Sequence, residues 1–406
     1  ISSYHLLTLV LAFGVIVLIF GETIITAPFA ACFLYQKDQH ALVSPKPNVT
    51  IRPRLYEAKL DNMSPDISKQ IAAAGVEYIA GKIEKIDSDN KILTINLVNG
   101  SQTTLTYDRF VLATGSQLTI PPVPGFYEYG FNVDTLEDAQ RLEAHLQALK
   151  SEPDSHARNT VVVVGGGLTG LESAAEMPAR LKAILGDNVN IRVLIVDTAP
   201  ALGAGMGADA SLVIQQALSE CGVESRAGLR VEAIDNKSIT LSNRECIESN
   251  TVVLATGVKA NTLTEQISSK QDTSGRIISD SYLHAKAISG VFVAGDTVKA
   301  PTDDKGNYNL MTCQHALSLG RVAGHNAAAE LTGIPLYPYN QPKYVTCLDL
   351  GTWGALYTEG WDRRVCFTKN EGKRIKQQIN TQWIYPPELG RDELFAIANP
   401  DYVIVP

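Results

Sequence analysis

The 406-residue sequence predicts an α/β fold built from two copies of one parallel-sheet unit, followed by a small C-terminal unit. Three observations carry this reading. Val161 to Glu176, VVVVGGGLTGLESAAE, places four β-branched residues before a glycine turn and a run of helix formers, the pattern of a buried strand entering a helix. Two blocks, Gly75 to Gly115 and Gly222 to Gly257, share one order: GVE, an AG pair, a strand ending in ID, a turn, another strand and VLATG. Such an internal repeat implies two copies of one supersecondary unit. Finally, 45% hydrophobic and 19% charged residues over this length suit two or three cores rather than one.

Taken in order, the chain begins with an apolar run. Ile1 to Gly21 contains no Asp, Glu, Lys or Arg, which is near the ~20 residues of a membrane span and equally suits a buried strand and helix. Residues 41–59 read as a strand end and a proline-punctuated loop, and Asp66 to Ala74 as a short helix. Val76 to Ile95 alternates apolar and polar residues around DSDN, a hairpin signal. Tyr107 to Gly115 gives a strand ending in ATG. A stiff IPPVPG link follows, and the capping sequence DTLED opens a helix over 134–150. Beyond the second ATG, Gly275 to Asp296 gives a strand pair ending in AGD, and Asn309 to Leu331 a helix. The tail from Leu336 holds all three tryptophans and reads as strand-rich with a helix at Glu371 to Ile379.

The glycines define the first candidate site. Gly165, Gly167 and Gly170 stand in GxGxxG spacing: the first permits the turn, the second leaves room for a pyrophosphate, and the third lets helix and strand pack closely. The phosphates would meet the amide donors and positive dipole of the helix start. A second strand, Ile191 to Val196, ends on Asp197, 27 positions beyond Gly170. Its carboxylate suits a ribose and repels a 2′-phosphate, so NADH is favoured over NADPH. Both units are thus expected to be Rossmann-like dinucleotide-binding domains.

Composition narrows the remaining classes. A net charge of −8 argues against a nucleic-acid partner, and no long basic tract is present to hold an anionic membrane. The six cysteines form neither a CxxC pair nor metal-ligand spacing, and none lies between residues 33 and 220, so the dithiol of a flavin-linked disulfide reductase is missing there. They read as reduced thiols of a cytoplasmic protein.

GxGxxG with Glu172 in its helix, two ATG triplets and VFVAGD resemble the pyridine nucleotide-disulfide oxidoreductase superfamily over about residues 43–335, and TCQHA resembles the type II NADH:quinone oxidoreductases within it. The resemblance implies an FAD domain from residues 1–118 and 278–333, an NADH domain from 119–277 and a C-terminal domain from 334–406. It implies that Ala113, Thr114 and Gly115 close over the flavin, that Gly295 and Asp296 hold its ribityl chain, and that Gln314, His315 and Ala316 also bind FAD, although a lone histidine on a helix is usually a hydrogen-bonded packing residue. Ala255, Thr256 and Gly257 would sit beside NADH with Gly165, Gly167, Gly170 and Asp197. Glu172 and Gln314 are the implied catalytic pair, Glu172 near the nicotinamide and Gln314 near a quinone. Hydride would pass from NADH to flavin, and electrons onward to a quinone or similar small acceptor.

The chain departs from the family in two places. Ser318 replaces the second glutamine of the AQxAxQ pattern, and Cys313 stands where alanine is usual. No GxGxxG occurs in residues 1–40, where the flavin loop belongs; Gly14 and Gly21 are too far apart, and familiar sequence begins abruptly near Leu42. A shifted reading frame is the favoured explanation, ahead of a membrane anchor or a lost flavin loop. The alternative function is therefore a nucleotide-binding or sensor protein without FAD. Peripheral contact with the inner face of the cell membrane through Trp383 and Tyr385, and a homodimer, are further expectations.

Overall fold

A computed structural model describes residues 16–20, 40–286, 288–388 and 390–402. Its largest sheet has seven strands. Ile16–Phe20 lies inside it, parallel to His40–Ser44 on one side and to Arg109–Ala113 on the other. Val291–Val293 extends the sheet beyond Arg109–Ala113, and the antiparallel run Glu77–Asp87, Ile92–Leu97 and Gln102–Thr106 completes the far edge. The strand alternative for the apolar N-terminus therefore holds for Ile16–Phe20, earlier in the chain than Leu42. The rest of that segment lies outside the described residues.

The second sheet repeats the layout. Thr160–Val164 lies between Arg192–Asp197 and Thr251–Leu254, all parallel, with Val223–Ala227 and Gly130–Asn132 at the edges. In both sheets the central strand is flanked by the strand after its crossover and by the strand that leads into ATG. Val161, Val162 and Val163 are fully buried, as a strand covered on both faces requires. Each such side chain contributes roughly 1.5–3 kcal/mol by leaving water.

Local chemistry sets the boundaries. Helix Leu136–Ala148 starts where the Thr135 hydroxyl accepts the Asp138 amide at 3.1 Å, as the capping sequence predicts. Helix Ser68–Ala74 ends on Gly75 at φ 75°, a left-handed stop. The hairpin turn falls within 88–91, between Glu77–Asp87 and Ile92–Leu97.

The C-terminal part forms a three-stranded antiparallel sheet, Val345–Asp349, Ala355–Glu359 and Arg364–Phe367. Helix Lys369–Gln378 follows and runs into a π-helical turn, Ile379–Trp383. A last helix, Arg391–Ile397, was not expected from the sequence; it lies against Ser68–Ala74, where Gln70 Nε2 donates to the Pro387 carbonyl at 3.0 Å. Among the described residues no helix is long and apolar enough to cross a membrane.

Candidate functional site

One cavity of about 1510 Å³ runs between the two parallel sheets and the C-terminal part. The glycine turn forms one wall. Gly165 sits at φ 111°, and a Cβ there would strike the Ala255 carbonyl. A Cβ on Gly170 would strike the carbonyl of Gly165, so only glycine allows the helix Leu168–Leu185 to pack this close to its strand. Gly167 differs: a Cβ there would meet nothing within 4 Å, because the position opens onto the cavity. Two of the three glycines are thus required by close backbone approach, and the third leaves open space.

Asp197 reaches the same wall. Its carboxylate accepts the Gly166 amide and the Ala199 amide, the latter at 2.6 Å, so the acid is clamped beside the turn. Ala255, Thr256 and Gly257 line the cavity next to it. The Thr256 hydroxyl donates to the Thr119 carbonyl at 2.6 Å and the Thr119 amide donates to the Gly257 carbonyl at 2.8 Å, which ties this triplet to the link from the first sheet.

At the other end Asp296 faces the cavity. Ser116 Oγ donates to it at 2.6 Å, and Arg52 Nη1 lies 3.9 Å away. Burial raises the Asp296 carboxyl above its usual range, with Ser116 and Arg52 opposing. Arg52 is also paired with Asp134, whose Oδ2 accepts the Leu118 amide at 3.0 Å. The result is a polar strut, Arg52, Asp134, Ser116 and Asp296, that no sequence motif announced. Gly295, buried at φ 67°, precedes the acid. Ala113 and Thr114 are buried behind it, and Gly115 accepts the Asn261 amide at 3.0 Å. Among the described residues the buried Thr114 hydroxyl has no hydrogen-bond partner. On these observations the described residues fit the ribityl and ring end of a flavin. The loop for its diphosphate would follow Phe20, outside the described residues.

Glu172 links the two ends. It is buried on the helix Leu168–Leu185 and lines the cavity. Lys376 Nζ donates to it at 2.7 Å, and the Asp349 amide at 3.0 Å. Burial pushes the Glu172 carboxyl up, with the ammonium opposing. For Lys376, burial works against the charge, but Glu172, Cys347 and Asp349 together outweigh it and hold the pKa above the ordinary value. Beside this pair Lys373 Nζ binds Asp349 at 2.6 Å. Sequence reasoning placed a helix at 371–379 but gave its lysines no role. Their only signal was an i, i+3 spacing, which is common on solvated helices.

The helix Cys313–Thr332 starts at the cavity. Cys313, Gln314, Ala316, Leu317 and Ser318 all line it. Gln314 Oε1 accepts the Val345 amide at 3.4 Å. Burial pushes the Cys313 thiol up, although the residue is open on the cavity side. His315 is placed otherwise: it is fully buried behind this wall, with its Nδ1 2.9 Å from Thr312 Oγ1 and its ring stacked on Tyr344 at 5.0 Å. Burial above all lowers its pKa to about 3, so it is neutral at pH 7. Its ring packs against Tyr344 and Trp361. Trp383 lines the cavity, and Tyr385 accepts Arg54 Nη1 at 2.7 Å, so both rings have intramolecular surroundings.

Known proteins resemble this chain along most of its length. A family model described as pyridine nucleotide-disulphide oxidoreductase matches residues 16–320, starting on the strand Ile16–Phe20. An NADH dehydrogenase-like protein of Mycobacterium tuberculosis is 43% identical over 362 residues, covering 88% of this chain and 89% of the relative. A demethylphylloquinone reductase of Synechocystis is 27% identical over 78% of each chain. The solved structure of NDH2 from Plasmodium falciparum in complex with NADH superposes with a TM-score of 0.76 at 13% identity, covering 95% and 97% of the two chains, which speaks for the fold alone.

Proposed function

The chain belongs to the pyridine nucleotide-disulphide oxidoreductase family, and from that premise we propose that it oxidises NADH through bound FAD and delivers the electrons to a quinone or similar small acceptor. One observation carries the proposal: the glycine turn, the Glu172–Lys376 pair and the start of helix Cys313–Thr332 open onto a single cavity. Donor, flavin and acceptor then share one space, where rings can be held in contact.

In this reading residues 119–277 hold NADH, residues 1–118 with 278–333 hold the flavin, and residues 334–406 close the cavity. Gly167 makes room for the NADH pyrophosphate at the start of helix Leu168–Leu185, and Asp197 meets the adenosine ribose. Asp296 accepts from the ribityl hydroxyls. FAD supplies hydride acceptance and two-electron transfer. Glu172 and Lys376 keep one proton shared in a dry site, in position to neutralise charge that appears on a reducing acceptor next to Gln314. Contact with a membrane surface would be made by the C-terminal part, whose Trp383 lines the cavity.

The second reading, a protein that binds NADH without flavin, has one observation in its favour: residues 1–40 lack GxGxxG. Purification separates the two. A yellow protein whose visible flavin band bleaches anaerobically with NADH and recovers with a naphthoquinone is expected. A colourless protein that binds NADH in calorimetry but neither takes up FAD nor turns over would favour the second reading.

A further inference from the structure

Among the described residues, one buried charge on the cavity wall has no acidic partner. Among the described residues, the buried charged side chains other than histidine are Arg158, Glu172, Arg180, Arg321, Asp349 and Lys376. Arg158 pairs with Asp154, Arg180 with Glu143, Lys376 with Glu172, and Asp349 with Lys373. Arg321, only 3% exposed, has no acidic side chain in ion-pair range among the described residues. Its Nε donates to the Ile397 carbonyl at 2.7 Å, and its guanidinium lies 5.3 Å from the centre of the Tyr402 ring. The nearby acid Asp401 is hydrogen-bonded to the Tyr337 hydroxyl. Burial lowers the Arg321 pKa to about 10, which still leaves the group charged at neutral pH.

A buried cation without an acidic partner costs several kcal/mol, which a carbonyl and a ring offset only in part and an anion in the cavity would offset further. The position of Arg321 says which anion. Gln314, Leu317, Ser318 and Arg321 all line the cavity at i, i+3, i+4 and i+7, so they form one stripe along a helix face. Seven residues of helix rise about 10 Å. Ser318, shorter than the family's glutamine, leaves the stripe open between the two ends.

We propose that Arg321 binds an acidic group of the acceptor, so that the site prefers quinones carrying a carboxylate about 10 Å from a redox ring placed beside Gln314. This rests on the acceptor reading above and makes Arg321 a specificity-determining residue. The electron transfer itself is unchanged by it: two electrons and two protons convert the quinone to the hydroquinone, and the carboxylate takes no part.

The test uses the full chain loaded with flavin and a matched pair of benzoquinones, one with a six-carbon ω-carboxyalkyl chain and one with the corresponding ω-hydroxyalkyl chain. The carboxylate is expected to show a KM about tenfold lower, and a correspondingly tighter Kd by calorimetry. Arg321→Met is expected to erase the preference and Arg321→Lys to keep part of it, with NADH affinity on the same preparations reporting an intact fold. Equal KM values in the unaltered protein would overturn the proposal, as would a preference that survives in Arg321→Met. If neither quinone is reduced, the acceptor reading fails. Calorimetric binding of the carboxylate probe, present in the unaltered protein and lost in Arg321→Met, then still decides the anion site.

Discussion

Lys376 Nζ donates to Glu172 Oε1 at 2.7 Å and so fastens the helix of the glycine motif to a C-terminal helix 204 residues later. Both side chains are buried. Breaking such a pair leaves one uncompensated charge in a dry site, which costs about 3–5 kcal/mol, whereas replacing both partners is often neutral. Lys376→Met is expected to lower unfolding stability by that order, and Glu172→Gln/Lys376→Met to recover most of it, as read by urea denaturation. Equal losses in the single and double variants would mean that the pair is not coupled.

Gly167 and Gly170 lie three residues apart and are expected to respond oppositely to added bulk. Gly167→Val fills open cavity, so NADH affinity should fall at least tenfold with little change in Tm. Gly170→Val drives a side chain into the Gly165 carbonyl and should destabilise the fold by about 1–3 kcal/mol. Calorimetric titration with NADH and thermal melts on both variants measure the contrast.

Asp197 acts through its two backbone contacts at the turn as well as its charge. Asp197→Asn keeps the shape and removes the repulsion of a 2′-phosphate, so the ratio of NADPH to NADH affinity should rise, measured by fluorescence titration of the two coenzymes. An unchanged ratio would remove Asp197 from coenzyme selection.

His315 gives the stability a pH signature. Its pKa is about 3 in the folded chain against 6.5 for the free side chain, so the unfolded state binds the proton first as pH falls. The contribution is complete above pH 6.5 and shrinks by roughly 1.4 kcal/mol per pH unit on the way down to about pH 3. His315→Phe preserves the stacking on Tyr344 and should flatten this part of the profile. Denaturant midpoints for both proteins between pH 4 and about 7, compared as a difference, isolate the effect from the titration of carboxylates.

Asp296→Ala removes the carboxylate at the flavin end together with its bond from Ser116. Flavin retention after gel filtration, read as visible absorbance per chain, is expected to drop while NADH binding persists.

Much of this protein was legible in its sequence because the signals were local. Backbone needs fixed the glycines: Gly165 and Gly170 stand where any Cβ would strike a carbonyl, and the two ATG strands repeat because the same unit was built twice. Alternating and continuous apolar runs gave the strands, and the Thr135 cap gave a helix start. The surroundings of the His315 side chain were not legible in the sequence: it neighbours Gln314 and Ala316, but a helix turns successive side chains by 100°, which carries its ring into an aromatic stack with Tyr344.

What only the tertiary structure decided is the company each buried charge keeps. Lys376 meets Glu172, Arg52 spans Asp134 and Asp296, and Arg321 is left facing the cavity, each through contacts between segments far apart in the chain. The apolar stretch Ile16–Phe20 was ambiguous for the same reason. A membrane and a parallel sheet ask for the same side chains, and only its neighbours His40–Ser44 and Arg109–Ala113 made it a strand.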